Sequence, residues 1–529
     1  MAIKNKIDSN ITEQRITEEE PDCIGVLPST PIWNGSEPNS YTDFGAEITN
    51  TPRNPINAGR QNKKGVTTDL EASGGYNTDL TQENEQARLQ GFFFADFRRK
   101  GEGKNAPGVT TLTFSMTATG AVLTRVGGSL DLTTQFETGD LVFVTGFSNP
   151  INNGLFSLGT VTATTLALLL ADGSGSGATV ADEAATSNAG VVQVGVEATG
   201  GDIAVDAPGG GVRPALTSST LDFTTMGLNV GEFIFIGGDN ADNRFATAAN
   251  NGFARVRSIA ANRLEFDKTA DTMVSEAAGA LNVHLYTGRV LKNESLPANQ
   301  VRRTYQIERT LGEDSVGTQS EYLIGAVSNE ANFNINSADK LTVDMAYIAI
   351  DHETRTGTEG VKAGTRPALP ELDAFNTSSD FSRIKLAPVD ELDANPGALV
   401  DFATEMTLNI NNNASFNKAI GTLGAIDVTV GNFVVSGDIT AYFTTVESIR
   451  AVRNNADITL DMALVKENKG IVIDVPLISL GDGRANVEQD SPITIPLSTN
   501  AATGAKIDTA LDHTLMMVFY DYLPDLADV

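Results

Sequence analysis

Apolar and polar residues alternate with a period of two through much of the C-terminal half of this chain. Met406, Leu408 and Ile410 interleave with Thr407 and Asn409. Ile458, Leu460, Met462 and Leu464 interleave with Asp457, Thr459, Asp461 and Ala463, and Ile471, Ile473, Val475 and Leu477 follow a Lys-Gly turn. Successive side chains of a strand point to opposite faces, so this spacing predicts β-strands with one buried and one wet face. Residues 515–520 are apolar at every position and predict a central strand. One segment breaks the period: Val446, Ile449 and Val452 share a helical side, and Thr444 and Glu447 have capping-box spacing. Arg450 and Arg453 fall where the helix dipole favours cations, so a single helix is predicted there. Residues 1–30 are polar and aperiodic and predict an extended arm. Residues 351–397 show little periodicity and several prolines and predict a long loop.

Between 107 and 290 the texture changes to Gly, Ala, Thr and Val, and an internal repeat appears. FETGDLVFVTG (136–146) and NNGLFSLGTVTATTLAL (152–168) recur as LNVGEFIFIGG (228–238) and NNGFARVRSIAANRLEF (250–266). Gly139 matches Gly231, and Asn153-Gly154 matches Asn251-Gly252. Each copy, at about 130–170 and 221–267, reads as a small β module in which Asn-Gly supplies the positive φ of a tight hairpin. The run KGEGKNAP (100–107) makes a boundary before them.

Composition supports this reading and narrows the function. Fifty glycines with 6% aromatics suit strands and turns, and 529 residues suffice for several domains. The net charge of −30 repels nucleic acid and anionic membranes. Residues 291–529 alone carry 17 basic and 34 acidic groups. One cysteine, Cys23, excludes an intramolecular disulfide and a Cys-based zinc site. The first residues contain no apolar run of a signal peptide, and no stretch of 18 apolar residues predicts a membrane helix, so synthesis in the cytoplasm is expected.

Catalytic signals are weak. His284, His352 and His513 lack a second histidine or cysteine at ligand spacing and read as strand or loop residues. There is no nucleophile elbow, P-loop or dinucleotide fingerprint, and the acidic turns at 238–243 and 481–486 lack the full calcium-loop pattern. No enzyme, cofactor, metal or catalytic residue is therefore expected. The Phe92, Phe93, Phe94 triplet reads as core.

The chain resembles the tail tube proteins of long-tailed bacteriophages. The resemblance rests on Trp33 with EPNSY (37–41), RQNKKG (60–65), DLEASGG (69–75), DLT (79–81), GFFFA (91–95), the repeated modules and GNFVVSGDITAYFTTVE (431–447). It implies a mainly β protein: a tail-tube β-sandwich or barrel with one flanking helix, here carrying two inserted small β modules. It also implies a virion tail location, self-assembly into stacked hexameric rings, and contacts with tape measure, tail tip and terminator proteins. DNA would pass through an acidic lumen without specific binding. The tube domain is expected in 31–106 and 291–529, with 107–290 outside the wall. Asp344, Asp427, Asp438, Asp457, Asp461 and Asp474 are the candidate lumen acids, because they fall on non-core strand positions. Arg60, Lys63, Lys64, Arg98 and Arg99 are candidate contacts to acidic surfaces of a neighbouring subunit. The rival readings are a β-rich phage or secreted protein that binds or degrades polysaccharide, and a capsid or decoration protein. A single tryptophan argues against an aromatic sugar groove, and the short helix against a capsid shell.

Overall fold

The alternating segments do form strands. The computed structural model describes residues 7, 11–56, 58–98, 112–113, 116–126, 130–172, 174–186, 189–209, 211–314, 317–369 and 372–528, and is mainly β. Among these residues there are two α-helices, Gln86–Phe93 and Glu447–Arg453, where one was expected. The second begins without the expected capping box: its cap is Val446, which makes no side-chain bond, and its buried residues are Ser448 and Ala451. Val446 itself is exposed, because a helix of seven residues buries only one narrow stripe and the small residues occupy it. Arg450 and Arg453 do lie in its last turn.

The chain divides into two units. The first draws on residues up to Ala95 with Asn293–Thr377 and Ala403–Thr440; the second comprises Asp96–Lys292, Ser378–Phe402 and the residues from Ala441 onward. This grouping differs from the expected pairing of 31–106 with all of 291–529, since the C-terminal strands belong with the middle third.

In the first unit the 20-residue strand Gly317–Asn336 serves two sheets. Its first half pairs with Tyr305–Asp314 and Asp351–Gly357, and its second half with Thr342–Ala349 and Ala403–Asn411. The change of partners falls near Gly325, whose φ of +62° suits glycine and whose N–H donates to Glu19 Oε1 at 3.0 Å. The first sheet continues through Glu13–Glu18 to the three-residue edge strand Asn34–Ser36. Part of the expected N-terminal arm is therefore a strand, fixed by Ile16 opposite Ile307. The second sheet continues through Lys63–Asp79 to Pro38–Arg53 and, on its other side, to Val434–Tyr442. Helix Gln86–Phe93 caps the core between them: Phe92 and Phe93 are buried as expected, Phe92 lies edge-on to Tyr347, and Tyr76 stacks on Tyr347. Beneath it Arg88 and Glu85 pair at 2.7 Å, fully buried, with the Tyr76 hydroxyl donating to Glu85.

Among its described residues the expected loop 351–397 contains two strands. Asp351–Gly357 is half-exposed and polar, which hides its period, and Phe381–Pro388 belongs to the second unit, where it pairs with Ile458–Lys466.

The second unit holds the repeat. Strands Asp140–Thr145, Gly154–Val161 and Thr165–Leu170 match Phe233–Ile236, Gly252–Ala260 and Arg263–Thr269, and the copies lie on opposite sides of the pair Gly190–Glu197 and His284–Thr287 in one 14-stranded sheet. Gly139 and Gly231 have φ of +89° and +93°, and their N–H groups donate to Leu158 and Val256. The Asn-Asn-Gly segments are latches, not hairpin turns. Asn153 receives the N–H of Phe147 and donates to its carbonyl, and Asn251 does the same to Phe245. The preceding Asn152 and Asn250 donate to Glu183 and Glu276, which also cap backbone N–H groups of the same loop. A module is thus closed by two asparagines and one glutamate, and only the glycine takes positive φ.

One face of this sheet shares its core with the C-terminal strands. Phe233, Phe235, Phe253 and Tyr286 pack with Val472, Val518, Tyr520 and Leu523. Strand Met516–Tyr520 is buried at every position, as its sequence predicts, between Arg289–Lys292 and Lys469–Asp482. The modules are therefore structurally continuous with residues 458–523.

Candidate functional site

The second sheet of the first unit presents a polar outer face. Along Lys63–Asp79, Thr342–Ala349, Gly317–Asn336 and Ala403–Asn411 the inward positions are apolar, such as Tyr76, Met345, Phe333 and Leu408. The outward positions from the paired region read Ser73, Gly75, Asn77, Asp79; Thr342, Asp344, Ala346, Ile348; Glu330, Asn332, Asn334, Asn336; and Glu405, Thr407, Asn409, Asn411, with no lysine or arginine. Register places Asn77, Asp344, Asn332 and Asn409 in one row across the sheet.

These side chains hold one another. Asp344 is exposed and accepts from Asn77 and Asn334, each at 2.7 Å, while Asn332 donates to Asn334 at 2.9 Å. Asn409 donates to Glu330, and Asn39 donates to Asn77 and Asp79. The cations that reach the border of this face are neutralised: Lys340 by Asp79 at 2.7 Å, and Lys418 by Asp69 and Glu71. The hydrogen bond from Lys418 holds the Asp69 carboxyl below the usual carboxylate range. The surface is thus hydrogen-bonded to itself and carries uncompensated acid at Asp344, with Asp438 exposed on Val434–Tyr442.

The other candidate acids separate clearly. Asp427 is half-exposed and bound to Arg302 at 2.6 Å, and Asp457 is half-exposed and bound to Lys506 at 2.6 Å. Asp461 and Asp474 are buried, at 2% and 0% exposure, so neither lines a solvent-filled lumen. The face expected to be wet is covered by cations of the repeat strands. Arg255 bonds Asp267 at 2.8 Å and Asp474 at 3.0 Å, and Lys268 reaches Asp474 at 2.6 Å and Asp461 at 3.4 Å. Arg383 completes the cluster on Asp461. Burial pushes the Asp474 carboxyl up, but Lys268 and Arg255 outweigh it and leave the group below the usual range. His513, fully buried beside this cluster, is pushed down to about 3 by desolvation and is neutral at physiological pH.

Of the basic candidates, Arg60, Lys63 and Lys64 lie together at the end of the hairpin formed by Pro38–Arg53 and Lys63–Asp79. Every described residue from Glu47 to Lys64 is exposed, so this end projects as a two-stranded ribbon with neither face covered. Arg98 instead forms a backbone bridge, donating its N–H to Val290 at 2.8 Å, and Arg99 lies outside the described residues. The asparagines of the polar face were missed at the sequence level, although the alternation NFNIN (332–336) carries them in plain view.

No helix among the described residues is long and apolar enough to cross a membrane. A family model described as phage tail tube protein matches residues 18–501, a span that includes both repeat modules. No curated protein matches the chain.

Proposed function

The chain belongs to the phage tail tube protein family, and from that premise we propose that it forms hexameric rings, stacked into a hollow tail, whose lumen is lined by the polar face around Asp344. The family supports a structural, non-enzymatic role in the virion tail, with assembly onto itself and onto other tail components. The observation that carries the finer reading is the outer face of the second sheet of the first unit: sixteen outward positions in four paired strands without one lysine or arginine. Each cation contact to a phosphate adds attraction and would slow a passing duplex. A face of asparagines bonded to one another and to Asp344 offers DNA neither a free cation nor a large apolar patch. Asp344 and Asp438 are the lining acids in this reading; Asp427 and Asp457 are compensated by their own arginine and lysine. Tape measure, tail tip and terminator proteins are the partners the same reading calls for, along with the projecting basic hairpin as a contact between copies.

The test is DNA ejection from phage carrying Asp344→Lys or Asp438→Lys. Both positions are exposed, so particles should assemble, and ejection should slow relative to wild type in a salt-dependent way. Ejection at the wild-type rate from assembled particles would remove this face from the lumen.

A further inference from the structure

The hairpin end needs a receptor, and the first unit contains a groove with matching chemistry. The groove encloses about 630 Å³ beside the edge strand Asn34–Ser36, bounded by Glu13–Arg15, the start of the hairpin strands, and Leu369 and Leu372. Gln14 and Ser36 are direct cross-strand partners on its wall. Both are buried, at 1% and 6% exposure, yet the Gln14 amide nitrogen and oxygen and the Ser36 hydroxyl have no hydrogen-bond partner. Buried polar atoms are nearly always paired, so these unmade bonds stand out. A carboxamide offers a donor and an acceptor side by side, the complement of a peptide group, and both side chains sit on the wall of the groove.

Charge points to the occupant. Of the groove's acids, Glu13 pairs with Arg15 at 3.4 Å and Asp79 with Lys340 at 2.7 Å, which leaves Glu37 as the uncompensated charge. Glu37 is exposed and has no ion-pair partner among the described residues. Between Glu47 and Asp69 the hairpin end carries Arg53, Arg60, Lys63 and Lys64 and no acid. Its tip also bears Ile56, fully exposed, which suits the apolar wall of Leu369 and Leu372. An isolated two-stranded ribbon is marginal in water, and the strand segment 48–53 alone extends about 20 Å.

We propose that the groove walled by Gln14, Ser36, Glu37 and Leu369 receives the hairpin end 53–64 of a second copy of this chain. Knob and socket are different surfaces, so the contact is head-to-tail and generates rings or stacks instead of closed two-fold dimers. The proposal rests on the tube reading above and names the partner surfaces that reading leaves open.

The experiment compares purified full-length wild type, Glu37→Lys, Lys63→Glu/Lys64→Glu and the combined charge swap by electron microscopy and sedimentation. All substituted positions are exposed, and unchanged thermal melting of each variant confirms an intact fold. Each charge reversal should lower the assembled fraction at least tenfold, and the combination should restore it. A fourth variant, Gln14→Leu, removes the unpaired amide and should weaken assembly without charge change. Wild-type tubes with variants that assemble equally well would overturn the docking alone. Failure of the combined swap to recover what the single reversals lose would overturn it too. Absence of any wild-type assembly would overturn the tube reading and this proposal with it.

Discussion

Asp474 gives the sharpest quantitative prediction, because its environment contradicts the role its sequence pattern suggests. It is completely buried and serves two cations, Lys268 at 2.6 Å and Arg255 at 3.0 Å. Replacement by Asn keeps the shape and deletes the charge. Arg255 retains Asp267, and Lys268 retains Asp461 at the longer distance of 3.4 Å. Breaking a buried pair from one side costs about 3–5 kcal/mol, and the retained partners place this case near 3 kcal/mol. At about 2 °C per kcal/mol for a large domain, thermal unfolding should shift down by about 6 °C. Asp457→Asn is the control: it removes a half-exposed pair with Lys506, worth about 0–1 kcal/mol, and should move the midpoint by about 2 °C at most. The pH dependence follows from the depressed Asp474 carboxyl. A group with its folded pKa below the unfolded value contributes fully above the unfolded value, near 3.9, and loses that contribution as pH falls through the folded one. The gap between wild type and Asp474→Asn should therefore hold from neutral pH down to about 4 and close below it. Equal shifts for the two variants would refute the assignment of Asp474 to a buried cluster.

Asn153→Ala removes two backbone hydrogen bonds and Asn251→Ala three, and each should destabilise the second unit by about 1–3 kcal/mol in denaturant titration. Gly325→Val forces a β-branched residue into positive φ against Ile24 and Ile350, and should abolish soluble expression or lower the melting midpoint strongly, whereas Gly397→Ala, with open space around it, should not. Deleting 107–290 strips Phe233, Phe253 and Tyr286 from Val472, Val518 and Tyr520, so the shortened chain should aggregate on purification instead of assembling.

The strand content was legible because period two survives wherever one face is buried and the other wet. Met406, Leu408 and Ile410 are buried, as that pattern requires. The pattern misleads at Asp461 and Asp474, where the second face is covered. Their counter-ions Arg255 and Lys268 lie more than 200 residues away in the chain from Asp474, and nothing local to Asp474 marks them. Glu13–Glu18 was unreadable as a strand for a related reason: EQRITE offers one large apolar residue, and its place is set by pairing with Tyr305–Asp314 nearly 300 residues on. The repeat was visible as a repeat, but the use of Asn-Asn-Gly was not, since the glutamates that complete each latch, Glu183 and Glu276, follow at about 30 residues' distance. The candidate site was legible in part. Asp344 is exposed on the polar sheet face and Arg60, Lys63 and Lys64 at the hairpin end, as surface positions, while the asparagines that give the polar face its character were passed over because an uncharged residue carries no electrostatic signal.

The conduit wall proposed above is the outer face of the sheet containing Asp344. A cryo-electron microscopy reconstruction of the assembled tube tests it most directly. Stacked six-fold rings are expected, with Asn77, Asn332, Asp344 and Asn409 facing the lumen and the hairpin end seated on a neighbouring copy. A tube with that face turned outward, or buried between subunits, would contradict it.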